Sequence, residues 1–129
     1  MNHRLIFIKL KPLIALILLS VLLVSCDVEH IKEYYVSNSL DSTVVLKFNV
    51  EGESNATDVF ANEEQKIHHS WYVQGTVGVS DERERIVIKD LNIKYGIIEK
   101  EIDASKWIYE EIDKYHAIYR LSIDTNLIK

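Results

Sequence analysis

The most reactive side chain in this sequence is the thiol of Cys26, the only cysteine in the chain. A single thiol cannot close an intramolecular disulfide, and in an oxidising compartment a free one is a liability. The other candidates for chemistry are weaker. His68 and His69 are adjacent, and neighbours on a strand point to opposite faces, so the pair is badly placed to share a metal. Zinc needs three or four converging ligands; His30 and His116 stand alone, and no metal ligands are assigned. The sequence has no G-x-S-x-G elbow, no H-E-x-x-H, no calcium loop and no glycine-rich phosphate cradle. A triad is defined by geometry rather than by spacing, but no motif here points to one. The expectation is a non-enzymatic chain without cofactors. Seven tyrosines and two tryptophans are the better lead, since aromatic residues are enriched at recognition surfaces. Trp71, Tyr95, Tyr115 and Tyr119 fall on inward-facing parities and read as core. Tyr34, Tyr72 and Tyr109 remain as candidates for an exposed binding patch.

The segment that positions Cys26 has three parts. Arg4, Lys9 and Lys11 make a positive start with no acidic residue before Asp27. Leu13 to Val24 is then apolar apart from Ser20, shorter than the ~20 residues that a membrane-spanning helix needs. Leu23-Val24-Ser25-Cys26 follows, with a branched apolar residue at Leu23 and a small one at Ser25. Together these match a secretory signal and resemble a bacterial lipobox. That resemblance implies cleavage between Ser25 and Cys26, a diacylglyceryl thioether on Cys26, and usually an acyl chain on its new amino group. The expected organisation is a signal peptide over residues 1–25, a lipidated N-terminus and tether over 26–33, and one β-rich domain over 34–129.

Removing the first 25 residues takes away three cations and no anion, so the formal charge moves from −5 to −8. An acidic surface argues against nucleic acid and against electrostatic docking on anionic lipid, leaving the acyl anchor as the membrane contact. With no disulfide available, stability must come from a packed core. The acidic leader Asp27 to Glu33 is open to three readings. It resembles an inner-membrane retention signal of enterobacterial type, it resembles a surface-export signal of Bacteroidetes type, or it is a solvated spacer.

From Tyr34 the hydrophobic period is two. Val44, Leu46, Phe48 and Val50 share a face, and the turn cluster Asn38 to Ser42 predicts a hairpin between Tyr34–Ser37 and Thr43–Val50. Glu51 to Asn62 is polar and reads as an exposed loop. Ile67, His69, Trp71 and Val73 share a parity on the next strand, with Gly75 and Gly78 allowing a bend. Asp81 to Arg85 reads as a charged loop. Ile86 and Ile88, a turn at Lys89-Asp90, and Leu91, Ile93 and Tyr95 predict a second hairpin, broken by Gly96. Over Asp103 to Tyr115 a short helix capped by Asp103 is favoured over a strand from Trp107 to Ile112 joined by Asp113-Lys114 to the last strand. That last strand turns Tyr115, Ala117, Tyr119, Leu121 and Ile123 inward. The fold expected is all-β: a single antiparallel β-sandwich-like domain of about seven strands with at most one short helix.

The Cys-acidic leader, the run Tyr35-Val36-Ser37-Asn38-Ser39-Leu40-Asp41-Ser42-Thr43-Val44-Val45-Leu46-Lys47-Phe48, and the late Trp107 before Tyr115 to Ile123 are together similar to small β-rich lipoproteins of Bacteroidetes-type bacteria. Residues 51–80 match no such pattern. The resemblance implies no catalytic residue. It implies attachment to the membrane through lipid on Cys26, with the outer membrane favoured. The expected role is a structural or assembly component of the cell envelope with an envelope protein as partner. A surface glycan- or protein-binding accessory module is the alternative.

Overall fold

The computed structural model describes residues 29–73, 78–80 and 86–129. The expected signal peptide, its cleavage point at Ser25 and Cys26, the lipidation of Cys26, the bend at Gly75 and the loop at 81–85 lie outside the described residues.

Among the described residues eight strands form two four-stranded sheets. In the first sheet β4 (Glu64–Val73), β1 (Glu29–Asn38), β8 (His116–Ile123) and β7 (Ile108–Asp113) lie side by side in that order. In the second the order is β3 (Glu53–Val59), β2 (Val44–Val50), β5 (Ile88–Tyr95) and β6 (Ile98–Glu101). A single turn of 3-10 helix at Ala104–Lys106 and a one-turn helix α1 (Thr125–Ile128) complete the chain. The all-β, sandwich-like architecture with one short α-helix is therefore present. One pairing departs from the antiparallel rule, because β1 and β8 run parallel in the middle of the first sheet.

The sheets are held face to face by the residues that alternation selects. Val44, Leu46 and Phe48 on β2, and Tyr119, Leu121 and Ile123 on β8, are all buried in one continuous core. At its centre Tyr34 stacks on Tyr119 with ring centroids 5.1 Å apart and meets the edge of Trp107 at 5.6 Å. Burial also pushes the Tyr34 hydroxyl up to about 12, against the weak hydrogen bond that it accepts from the Val87 N–H.

Several local expectations are corrected. The turn cluster after β1 does not close a hairpin: β1 pairs with β4 and β8, and β2 belongs to the other sheet. Residues 39–43 are a crossover between sheets, fastened by the buried Asn38. Its amide nitrogen donates to the carbonyls of Ser42, Val59 and Phe60 at 2.9, 3.0 and 3.2 Å, while its oxygen accepts from the Leu40 N–H at 3.0 Å. The polar stretch read as a loop contains strand β3, reached through a tight turn at Glu51 and Gly52, both at positive φ. As an edge strand with almost every residue in water, it needs no hydrophobic alternation.

The Lys89-Asp90 turn is a bulge inside a continuous β5. One residue of β2, Phe48, faces two of β5, Asp90 and Leu91, and Asp90 takes a left-handed φ of 50°. Asn49 donates a 2.7 Å hydrogen bond to its carboxylate. Residues 103–115 do not form the favoured helix. Asp103 accepts from the Ser105 N–H but caps only the 3-10 turn, and the chain then runs straight into β7. The strand reading of Trp107 to Ile112 is the correct one. Lastly, residues 29–33, expected as tether, are the first half of β1, with His30 and Lys32 buried.

Candidate functional site

The densest gathering of chemically capable side chains lies on the outer face of the first sheet. Alternation along β1 turns Glu33 outward, and register places His69 of β4 directly beside it. The Lys66 ammonium donates to Glu33 Oε1 at 2.8 Å, and His69 Nδ1 lies 3.7 Å from the same oxygen. His116 Nε2 reaches Oε2 at 3.1 Å from β8. The hydrogen bond from Lys66 holds the Glu33 carboxyl below the usual glutamate range; partial burial opposes this, and His116 reinforces it. Further along the sheet Arg120 donates to Glu64 at 2.7 Å and to Glu110 at 3.2 Å, with its guanidinium 5.0 Å from the Tyr35 ring centroid. The charges form a lattice across all four strands.

This lattice is self-satisfied. The Glu33 carboxylate, which would have to act as base or ligand, is already claimed by a lysine. Among the described residues no three His, Cys, Asp or Glu side chains are arranged to hold a metal ion. His68 and His69 point to opposite faces, as strand neighbours must. His68 turns inward to lie 5.8 Å from the Tyr34 ring, where burial lowers its proton affinity. Glu33, Lys66 and Arg120 were not singled out by sequence. Their signal is charge at alternate strand positions, which a reading of residues 29–33 as tether conceals.

The lattice predicts a pH dependence. A carboxyl depressed in the fold stabilises at pH above its unfolded value and loses that contribution as pH falls through the folded value. Glu33→Gln should therefore cost about 0.5–1 kcal/mol near neutral pH, the scale of a surface ion-pair cluster. Urea titrations of the two proteins should converge as the pH is taken below the ordinary glutamate value of 4.5. An equal gap at acid and neutral pH would show that the carboxylate charge contributes nothing.

The aromatic candidates do not converge on the surface. Tyr34 is fully buried, and Tyr109 packs edge-on against Tyr119 with centroids 5.5 Å apart. Tyr72 stacks on the buried His30 at 5.0 Å, with the Lys32 ammonium 5.7 Å from its ring centroid. Trp71, expected inside, is 62% exposed. Its parity was miscounted because β4 carries an extra residue: Tyr34 pairs with His68 and Tyr35 with Lys66, so Ile67 is bulged out of the ladder and the facing pattern shifts there.

Two clefts accompany these faces. The larger, of about 490 Å³, lies between β6, the 3-10 turn and α1, and is lined by Lys100, Asp103, Lys106, Ile108, Asp124 and Leu127 among others. Lys100 bridges part of it by donating to the Leu127 carbonyl at 2.8 Å. A second, of about 330 Å³, opens beside Phe48, Glu51, Glu53 and His68. Ser122 also lines the larger cleft, and its hydroxyl accepts a hydrogen bond from the Ser37 hydroxyl at 3.2 Å. No helix among the described residues is long and apolar enough to cross a membrane. Comparison with family models, with curated proteins and with solved structures found no match to this chain.

Proposed function

We propose that this chain is a bacterial lipoprotein, held in the envelope through lipid on Cys26, most readily in the outer membrane, and that its β domain serves there as a non-catalytic structural or assembly component. The observation that carries the reading is Leu23-Val24-Ser25-Cys26, with its basic and apolar leader, set three residues ahead of the first strand of a sandwich-like domain. The outer charges are mutually paired, and Tyr34 and Tyr109, which a glycan-binding face would need, are packed inward. Both observations favour assembly over the accessory-module alternative. The contact surface would be a sheet edge. β7 is the natural one, since its outer side is unpaired in the sheet order and Ile108 stands exposed on it.

A photo-crosslinking amino acid placed at the exposed Glu111 and activated in living cells tests this directly. One envelope protein captured in stoichiometric yield is the expected result. Retention of glycans, with no protein adduct at Glu111, would overturn it in favour of the accessory module.

A further inference from the structure

The spacing between Cys26 and β1 fixes how the domain must stand on its membrane. On the proposed lipidation the lipid and its glycerol would be bonded to Cys26, and β1 begins at Glu29. Three residue steps of at most ~3.6 Å span about 11 Å. The polar layer on one side of a bilayer is itself about 5–7 Å thick, by the difference between total and hydrocarbon thickness. The first residues of β1 therefore lie within or just above the headgroups. A domain on so short a lead has no room to turn its other end downward.

The end of the first sheet that this brings to the surface has a composition of its own. Ile31 of β1 pairs with Trp71 on one side and with His116 on the other, and His116 pairs with Asp113 of β7. One transverse row thus runs across the sheet, from Trp71 at one edge to the end of β7 at the other. Trp71 is 62% exposed, and Ile112, next to Asp113, is 48% exposed. Three strand spacings of ~4.8 Å separate the two edges, so they straddle the tether about 14 Å apart. In the turn that follows β7, the exposed Lys114 places its ammonium 5.0 Å from the Tyr115 ring centroid. Tryptophan, tyrosine and lysine are the residues that settle at a membrane–water interface, where an apolar body and a polar tip are both satisfied. Glu29 and Asp113 at the same end are exposed and acidic, which favours zwitterionic over anionic headgroups.

We propose that this end of the first sheet, with Trp71 as its principal anchor and Ile112 and Lys114–Tyr115 beside the tether, rests in the headgroup layer of the bilayer that carries the lipid. The proposal rests on lipidation of Cys26 and adds to it a fixed orientation. The anchor holds the protein to the membrane, and the row across Ile31 decides which face looks outward. The large cleft at the far end of β8 is then directed away from the lipid.

The two tryptophans make this measurable, because Trp107 is only 2% exposed and serves as an internal reference. The processed protein, purified from cell membranes as wild type and as Trp71→Phe, is reconstituted into phosphatidylethanolamine vesicles made with ordinary or with chain-brominated lipid. Flotation of the vesicles is recorded alongside tryptophan emission. The expected result is that both proteins float and that the emission difference between them, which is the Trp71 signal, is lost in brominated vesicles while Trp107 emission persists. A protein that floats but keeps its full Trp71 signal in brominated vesicles overturns the orientation and leaves the lipid anchor standing. A protein that does not float at all overturns the anchor and the orientation together.

Discussion

Replacing Trp107 by alanine should lower the unfolding free energy by about 3–5 kcal/mol, the range for removing a large aromatic side chain from a core. The indole is only 2% exposed and its ring meets Tyr34 edge-on at 5.6 Å, while Tyr34 in turn stacks on Tyr119. Its place is set by the preceding turn, where the Trp107 N–H donates to the Ala104 carbonyl at 3.2 Å and ends the 3-10 segment. The chain from there runs as β7 in the first sheet, whereas β6, just before the turn, belongs to the second. Trp107 thus fills the core at the point where the chain passes from one sheet to the other, and no disulfide can compensate for its loss. Domains of this size are held by only about 5–15 kcal/mol, so the variant should unfold at markedly lower urea. Trp107→Phe, which keeps an aromatic ring in the site, should avoid a good part of that loss. Equilibrium urea unfolding of residues 27–129 followed by circular dichroism measures both. An alanine variant with an unchanged midpoint would show that this residue does not hold the sheets together.

What the sequence revealed depended on whether one strand was being read or the relation between two. The faces of β2 and β8 were legible because each has one buried side, and strict alternation through Val44, Leu46 and Phe48 or Tyr119, Leu121 and Ile123 reports that side directly. Which strands become neighbours was not legible. Asn38 to Ser42 has turn chemistry, and such chemistry suits a crossover between sheets as well as a hairpin; the four hydrogen bonds of Asn38 decide the matter in three dimensions. The parallel pairing of β1 with β8 joins opposite ends of the domain and leaves no local mark.

Bulges account for most of the remaining differences. An extra residue at Ile67 reversed the reading of Trp71, and the bulge at Asp90 looked like a turn, because a shift of parity is common to both. Over 103–115 the helical spacing of Ile108 and Ile112 was misleading, since both are exposed; Trp107 and Tyr109, two apart and directed inward, carry the strand period. For the ionic lattice on the outer face the residues were visible but their convergence was not. Glu33, Lys66, His116 and Arg120 are brought together only by the pairing of β4, β1 and β8.

Cys26→Ser should have the most complete effect of any single substitution, because it removes the one atom to which the proposed lipid would be attached. Each buried methylene contributes ~0.8 kcal/mol to membrane binding, so two or three acyl chains would hold the protein essentially for its lifetime, while none would leave an acidic domain with only the weak contacts proposed for one sheet end. The hydroxyl of serine is no substitute for a thiolate nucleophile at that step. The decisive measurement is metabolic labelling with a clickable palmitate analogue, read together with the intact mass of the protein recovered from membranes. In the wild type the account predicts label, and a mass corresponding to a chain that begins at Cys26 and carries a diacylglyceryl group. In Cys26→Ser it predicts no label and an uncut precursor. Label that persists in Cys26→Ser, or a wild-type mass equal to the bare polypeptide, would contradict it.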